Sequence, residues 1–92
     1  MKLSSNFKIA ETKSFRNEIQ KPELSPIYKK LKNFVYPQLK SNPFFGPNIK
    51  KLKGELEGLY RFRLGNYRLF YKIDNNNVIV FIIKLKHRKE AY

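Results

Sequence analysis

The sequence predicts an α+β domain ordered β-α-α-β-β-β, with two N-terminal helices packed on one face of an antiparallel sheet. Three observations predict it. Apolar residues between positions 27 and 39 recur at helical spacing. From Leu56 onward the apolar spacing falls to two. Two compact turn signals, Gly65-Asn66 and Asp74-Asn75-Asn76-Asn77, divide the period-two region.

Phe7, Ile9 and Ala10 predict a short first strand. Residues 12–20 predict a helix, since Phe15 and Ile19 stand at i, i+4, and Lys21-Pro22 closes it. Ser25-Pro26 opens the second helix, with serine as N-cap and proline at the first helical position. Ile27, Leu31, Phe34, Val35 and Leu39 form its apolar stripe, with Lys29, Lys30, Lys32 and Asn33 off it. Pro37 lacks a donor and crowds the carbonyl four residues back, which predicts a kink or early end near Asn33–Tyr36. Turn residues make 41–47 a loop. Leu59–Leu64 and Tyr67–Ile73 then form a hairpin about Gly65-Asn66, and Val78–Leu85 completes a meander. Without repeat, linker or low-complexity stretch, residues 1–92 read as one domain. A chain of this size buries roughly 65% of its unfolded surface.

Composition limits the function. Twenty Lys and Arg against seven Asp and Glu give a net charge of +13. The excess is spread: nine basic and three acidic residues in 1–49, eleven and four in 50–92. Such a charge repels itself in the compact state and favours a polyanionic partner, nucleic acid first. The chain has no cysteine and one histidine, which excludes disulfides, thiolate metal sites and a histidine-built zinc site. The longest apolar run is six residues, too short for a membrane, and the first residues lack a signal core. A cytoplasmic protein without metal or cofactor is expected.

Alternation in the Leu59–Leu64 strand turns Tyr60, Phe62 and Leu64 one way and Arg61 and Arg63 the other, about 7 Å apart. Arg68 interrupts Tyr67, Leu69, Phe70 and Tyr71, while Lys50, Lys51 and Lys53 flank Leu52. Forked guanidiniums hold phosphates and aromatic rings stack on unpaired bases, a combination suited to single-stranded RNA. Downstream of the apolar run Val78–Ile83 comes His87-Arg88-Lys89-Glu90-Ala91-Tyr92. A buried strand is a rigid mount, and it would bring a proton-transfer group, a fixed cation and a phenol to one spot. Those groups suit phosphodiester chemistry without a metal. Singly, each has a plainer reading: strand cations as solvation and edge protection, the histidine as a surface residue, Tyr92 as a frayed end.

Together, Lys51-Leu52-Lys53-Gly54, Leu56 to Tyr71, Val78-Ile79-Val80 and His87 to Tyr92 closely resemble the RelE/ParE superfamily of toxins from type II toxin–antitoxin modules, over essentially the whole chain. The resemblance implies the RelE-like, microbial-ribonuclease-type fold. It also implies a ribosome-dependent endonuclease that cuts mRNA in the A site of the small (30S) subunit. There the RNA's own 2′-hydroxyl attacks the adjacent phosphate and leaves a 2′,3′-cyclic end, without a metal. The implied catalytic residues are His87, Arg68, Arg88 and Tyr92, converging over one concavity. The implied RNA-binding residues are Arg61, Arg63, Lys50, Lys51, Lys53 and Lys86. Arginines keep their protons and stabilise charge, whereas an imidazole, here His87, suits general acid or base. The glutamate that some members use as base is missing at Asn48-Ile49-Lys50-Lys51, and arginines stand where relatives have lysines. The base role therefore falls to His87, or the reaction runs mainly on charge and positioning. The implied partners are a cognate antitoxin, mRNA on the ribosome, and operator DNA only through the antitoxin. Two alternatives remain on the same fold: a ParE-like, non-enzymatic inhibitor of DNA gyrase, and an inactive relative that only binds an antitoxin.

Overall fold

Residues 6–89 are described in the computed structural model and form a five-stranded sheet with helices on one side. The first strand, β1 (Lys8–Glu11), leads directly into α1 (Lys13–Ile19). Thr12 between them is extended, and its hydroxyl accepts from Phe15 N–H at 3.3 Å as an N-cap. Phe15 and Ile19 are buried, as their spacing predicts.

Pro22–Leu24 form one 3₁₀ turn that feeds α2 (Ser25–Lys30) without a break. This corrects the expected serine cap. Leu24 occupies the capping position without a side-chain bond, and Ser25 N–H donates back to Pro22 O. A turn that already satisfies the first helical donors leaves a serine cap nothing to do.

Of the two outcomes expected near Pro37, a kink or an early end, the early end does not occur. The helix continues through a π-helical turn, Leu31–Val35, into α3 (Tyr36–Ser41). There Tyr36 N–H reaches back five residues, to Leu31 O. The wider turn absorbs the proline ring and the donor it lacks. Leu31, Val35, Tyr36 and Leu39 all remain buried against the sheet.

The remaining strands are β2 (Ile49–Lys51), β3 (Tyr60–Leu64), β4 (Tyr67–Asp74) and β5 (Ile79–His87), in the spatial order β1-β5-β4-β3-β2. The α+β class, the helix pair and the three-strand meander follow the prediction. Two features do not. The short strand β2 pairs antiparallel with β3 and adds an edge. At the other side β1 runs parallel to β5, so the sheet is mixed rather than wholly antiparallel. β5 thus lies between β4 and β1, and its backbone groups are paired on both flanks.

Phe62, Leu69, Tyr71, Val80, Ile82 and Leu85 join the helical residues in one core. The buried Tyr71 hydroxyl donates to Pro43 O at 2.7 Å, pinning the loop after α3. Gly65 opens the β3–β4 turn at φ +59°, a conformation glycine adopts without strain. Val78, expected to begin the last strand, instead ends the preceding turn at φ +58°. For a β-branched residue that conformation is strained.

Candidate nucleic-acid interface

The register of the meander sorts its side chains into two faces. Tyr60, Phe62, Leu69, Tyr71, Ile82 and Leu85 lie on the helix side and pack into or against the core. The opposite face holds two transverse rows. One is Arg63, Arg68 and Lys86, direct partners across β3, β4 and β5. The other is Lys50, Arg61, Phe70 and Lys84, across β2 to β5. Neighbours within a row sit about 5 Å apart and the rows about 7 Å apart.

Neither row contains a carboxylate. At about 6 Å two like charges repel by roughly 0.7 kcal/mol in water and 3 kcal/mol at an effective dielectric of 20. The face therefore carries an unfavourable field that a polyanion relieves. Arg68 is only 8% exposed and Phe70 only 7%, so both are held within the face rather than waving above it. The Lys84 ammonium sits 5.7 Å from the centre of the Phe70 ring, a cation–π contact. Six cations with an aromatic floor can grip a sugar–phosphate chain and seat an unpaired base.

Of the residues expected to bind RNA, Arg61, Arg63, Lys50 and Lys86 are brought together here. Lys51 pairs with Tyr60 and takes the helix-side parity of its short strand. Lys53 is exposed before a 3₁₀ turn, outside the sheet. Lys84 and Phe70 are additions that sequence reasoning missed. The alternation Lys84-Leu85-Lys86 held the signal, because Leu85 must point inward and its neighbours outward.

Of the residues expected to be catalytic, only Arg68 lies in the rows. Arg88 is exposed just beyond β5, and its backbone N–H donates to Asn66 O at 2.6 Å, tying it to the β3–β4 turn. Tyr92 lies outside the described residues. His87 is set apart: it pairs with Tyr67 on the helix side, the two rings edge to face at 5.1 Å. It lines a recess of about 190 Å³ with Glu18, Lys21, Glu23 and Leu24, and its Nδ1 accepts from Lys89 N–H at 3.2 Å. The imidazole and the Arg68 guanidinium thus stand on opposite sides of the sheet, and the expected convergence is corrected. The physical reason is a β-bulge. Phe70 pairs with Lys84 and Tyr71 with Ile82, so Ile83 is skipped and the facing of β5 reverses there. Strict alternation from Val80 and Ile82 would have placed His87 beside Arg68.

A second concavity, about 830 Å³, follows the side of β1 away from β5, an outer edge of the sheet among the described residues, between Phe7, Ile9, Arg16, Lys32 and Tyr36. At its base the Glu11 carboxylate accepts from the phenols of Tyr28, at 2.9 Å, and Tyr36, at 2.8 Å. Burial, then the bond to Glu11, pushes both phenols above their ordinary range.

Residues 12–92 match the family model described as the ParE toxin of the type II toxin–antitoxin system, parDE. The chain is 42% identical over 43 residues to toxin RelG of Mycobacterium tuberculosis, covering 47% of this chain and 49% of that toxin. It is 40% identical over 60 residues to toxin RelE of the same organism, covering 64% and 59%. The matches thus span about half to three-fifths of these curated relatives. Among solved structures, the toxin–antitoxin complex RelBE2 from Mycobacterium tuberculosis contains a chain that superposes with a TM-score of 0.76 at 30% identity, covering 90% of this chain and 92% of that one.

Proposed function

Because the chain belongs to the family of ParE toxins of type II toxin–antitoxin systems, we propose that it is a toxin that cuts mRNA in the ribosomal A site, with the cationic sheet face as its working surface. The observation that carries this reading is the Arg63–Arg68–Lys86 row beside the Lys50–Arg61–Phe70–Lys84 row.

The reaction moves few atoms. The 2′-oxygen bonds to the adjacent phosphorus and loses its proton, the bond to the 5′-oxygen breaks, and that oxygen gains a proton. Negative charge builds on the non-bridging oxygens of the phosphorane. Arg68, nearly buried and flanked by Arg63 and Lys86, is placed to stabilise that charge without giving up a proton. Arg61, Lys50 and Lys84 hold the flanking backbone, and Arg88 adds a cation just beyond β5. With His87 on the helix side, the rate enhancement comes from charge stabilisation and from positioning on the ribosome rather than from the imidazole. This role needs no metal ion.

The partner is an antitoxin, as in the RelBE2 complex. The outer edge of β1 and its basic groove offer an acidic chain both backbone pairing and charge complementarity. No helix among the described residues is long and apolar enough to cross a membrane, and the site of action is the cytoplasm.

The test adds purified protein to translating ribosomes and maps mRNA ends by primer extension. Cuts inside translated codons, lost in Arg68→Ala, are expected. The ParE description of the matched family and the outlying His87 favour a second reading, gyrase inhibition. Intact mRNA together with blocked plasmid supercoiling would establish that reading instead.

A further inference from the structure

The bulge that aims β5 is held from outside the sheet's meander. The pairing of β1 with β5 ends at Glu11 opposite Ile82, one residue before the skipped Ile83. The next residue of β1's chain, Thr12, grips that point with both of its polar groups. Its backbone N–H donates to Ile82 O at 3.1 Å, and its hydroxyl lies 2.8 Å from Ile82 O and 3.3 Å from Ile83 O. The same oxygen accepts from Phe15 N–H, so its proton is directed at the β5 carbonyls. The Thr12 N–H continues the β1–β5 ladder at Ile82 O, and its hydroxyl adds a contact to the carbonyl of the skipped Ile83.

What the bulge achieves is local. Above it, Val80 and Ile82 face the core; below it, Leu85 does. The intervening step turns Lys84 and Lys86 outward into the two cationic rows. We propose that Thr12 is a positioning residue of the nucleic-acid interface: by pinning the Ile82–Ile83 carbonyls it fixes the bulge that presents Lys84 and Lys86 to the phosphate chain. This rests on reading the cationic face as the RNA surface. Thr12 lies on the opposite flank of β5 from β4 and acts only through the two lysines.

The test measures binding of a short fluorescent 2′-O-methyl RNA, which cannot be cleaved, as a function of salt. Thr12→Ser keeps donor and cap and is expected to bind as the parent does. Thr12→Val loses both. Thr12→Asp keeps the cap acceptor but cannot donate, so it tests the bulge even if the valine variant fails to fold. Removing two aligned phosphate contacts lowers the salt slope by about 1.4, at roughly 0.7 per contact for single strands. The decisive measurement is a double-mutant cycle. In the Thr12→Asp background Lys86→Ala is expected to cost little more, whereas Arg63→Ala on β3 still adds its full effect. Full additivity of Thr12→Asp with Lys86→Ala, or an unchanged salt slope, overturns the proposal. If Lys86→Ala and Arg63→Ala alone leave binding unchanged, the face is not the RNA surface, and the failure lies with that reading instead.

Discussion

On the proposed reading the chemistry turns on Arg68, which among the described residues is the guanidinium buried in the middle of a cationic row. Replacing it by alanine is expected to lower ribosome-dependent cleavage by 10²–10³-fold, the usual loss for one preorganised charge-stabilising group. Arg68→Lys should recover only part of that, because an ammonium lacks the planar fork. His87→Ala is expected to leave cleavage close to the parent, since the imidazole packs on Tyr67 across the sheet. Single-turnover rates on the same ribosomes decide the matter, and a His87 loss as deep as that of Arg68 would contradict the placement. Val78 offers a purely structural test. Its φ of +58° costs an ordinary residue about 1–2 kcal/mol, so Val78→Gly should raise the unfolding free energy by about 1 kcal/mol in urea titrations.

At the level of elements, the helices show which signals a sequence holds locally and which it does not. Apart from Phe34, assigned to the stripe but exposed where the π turn shifts the helical period, the stripe from Ile27 to Leu39 and the obstruction at Pro37 were both legible, because each depends on neighbours within a turn or two. That Pro37 would produce a π turn rather than a stop was not, because the buried Leu31 and Leu39 on either side hold the helix together through tertiary contacts. The same division runs through the sheet. Arg61, Arg63 and Arg68 could be placed from alternation alone. The facing of His87 could not, because a single skipped residue, fixed by Thr12 seventy positions away from Ile82, reverses it. Nor could the parallel β1–β5 pairing, which joins distant segments of the chain. The junction of β1 and the long helix has its own prediction. Tyr36→Phe removes a bond to a carboxylate and should cost about 2 kcal/mol. In the folded protein the phenols of Tyr28 and Tyr36 are held above their ordinary value of 10.0, so they stay neutral while the unfolded chain ionises. Their contribution is intact below about pH 10 and is lost as the pH climbs further. Denaturation midpoints from pH 8 upward should therefore fall beyond pH 10, less steeply in Tyr36→Phe.

For the whole molecule, the net charge of +13 sets how it meets its partners. Charge and composition were the most legible features of all, since they need no fold to be counted. The structure adds their arrangement: six cations gathered in two adjoining rows of one sheet face, with further lysines and an arginine along the groove beside β1. If all six engage phosphates, the logarithm of RNA affinity should fall against the logarithm of salt with a slope of about −4, at roughly 0.7 per contact. A slope near −1 in fluorescence titrations would mean that most of the face is idle.

The parallel pairing of Lys8–Glu11 with Ile79–Ile82 also bears on how the protein is made. During synthesis the opening segment emerges long before the strand it must lie against. Lys84 and Lys86 emerge later still, so neither cationic row is complete until β5 has been made. On the proposed reading, a nascent copy lacks its working surface until β5 is made, and the interval leaves time for a neutralising protein to reach the outer side of β1.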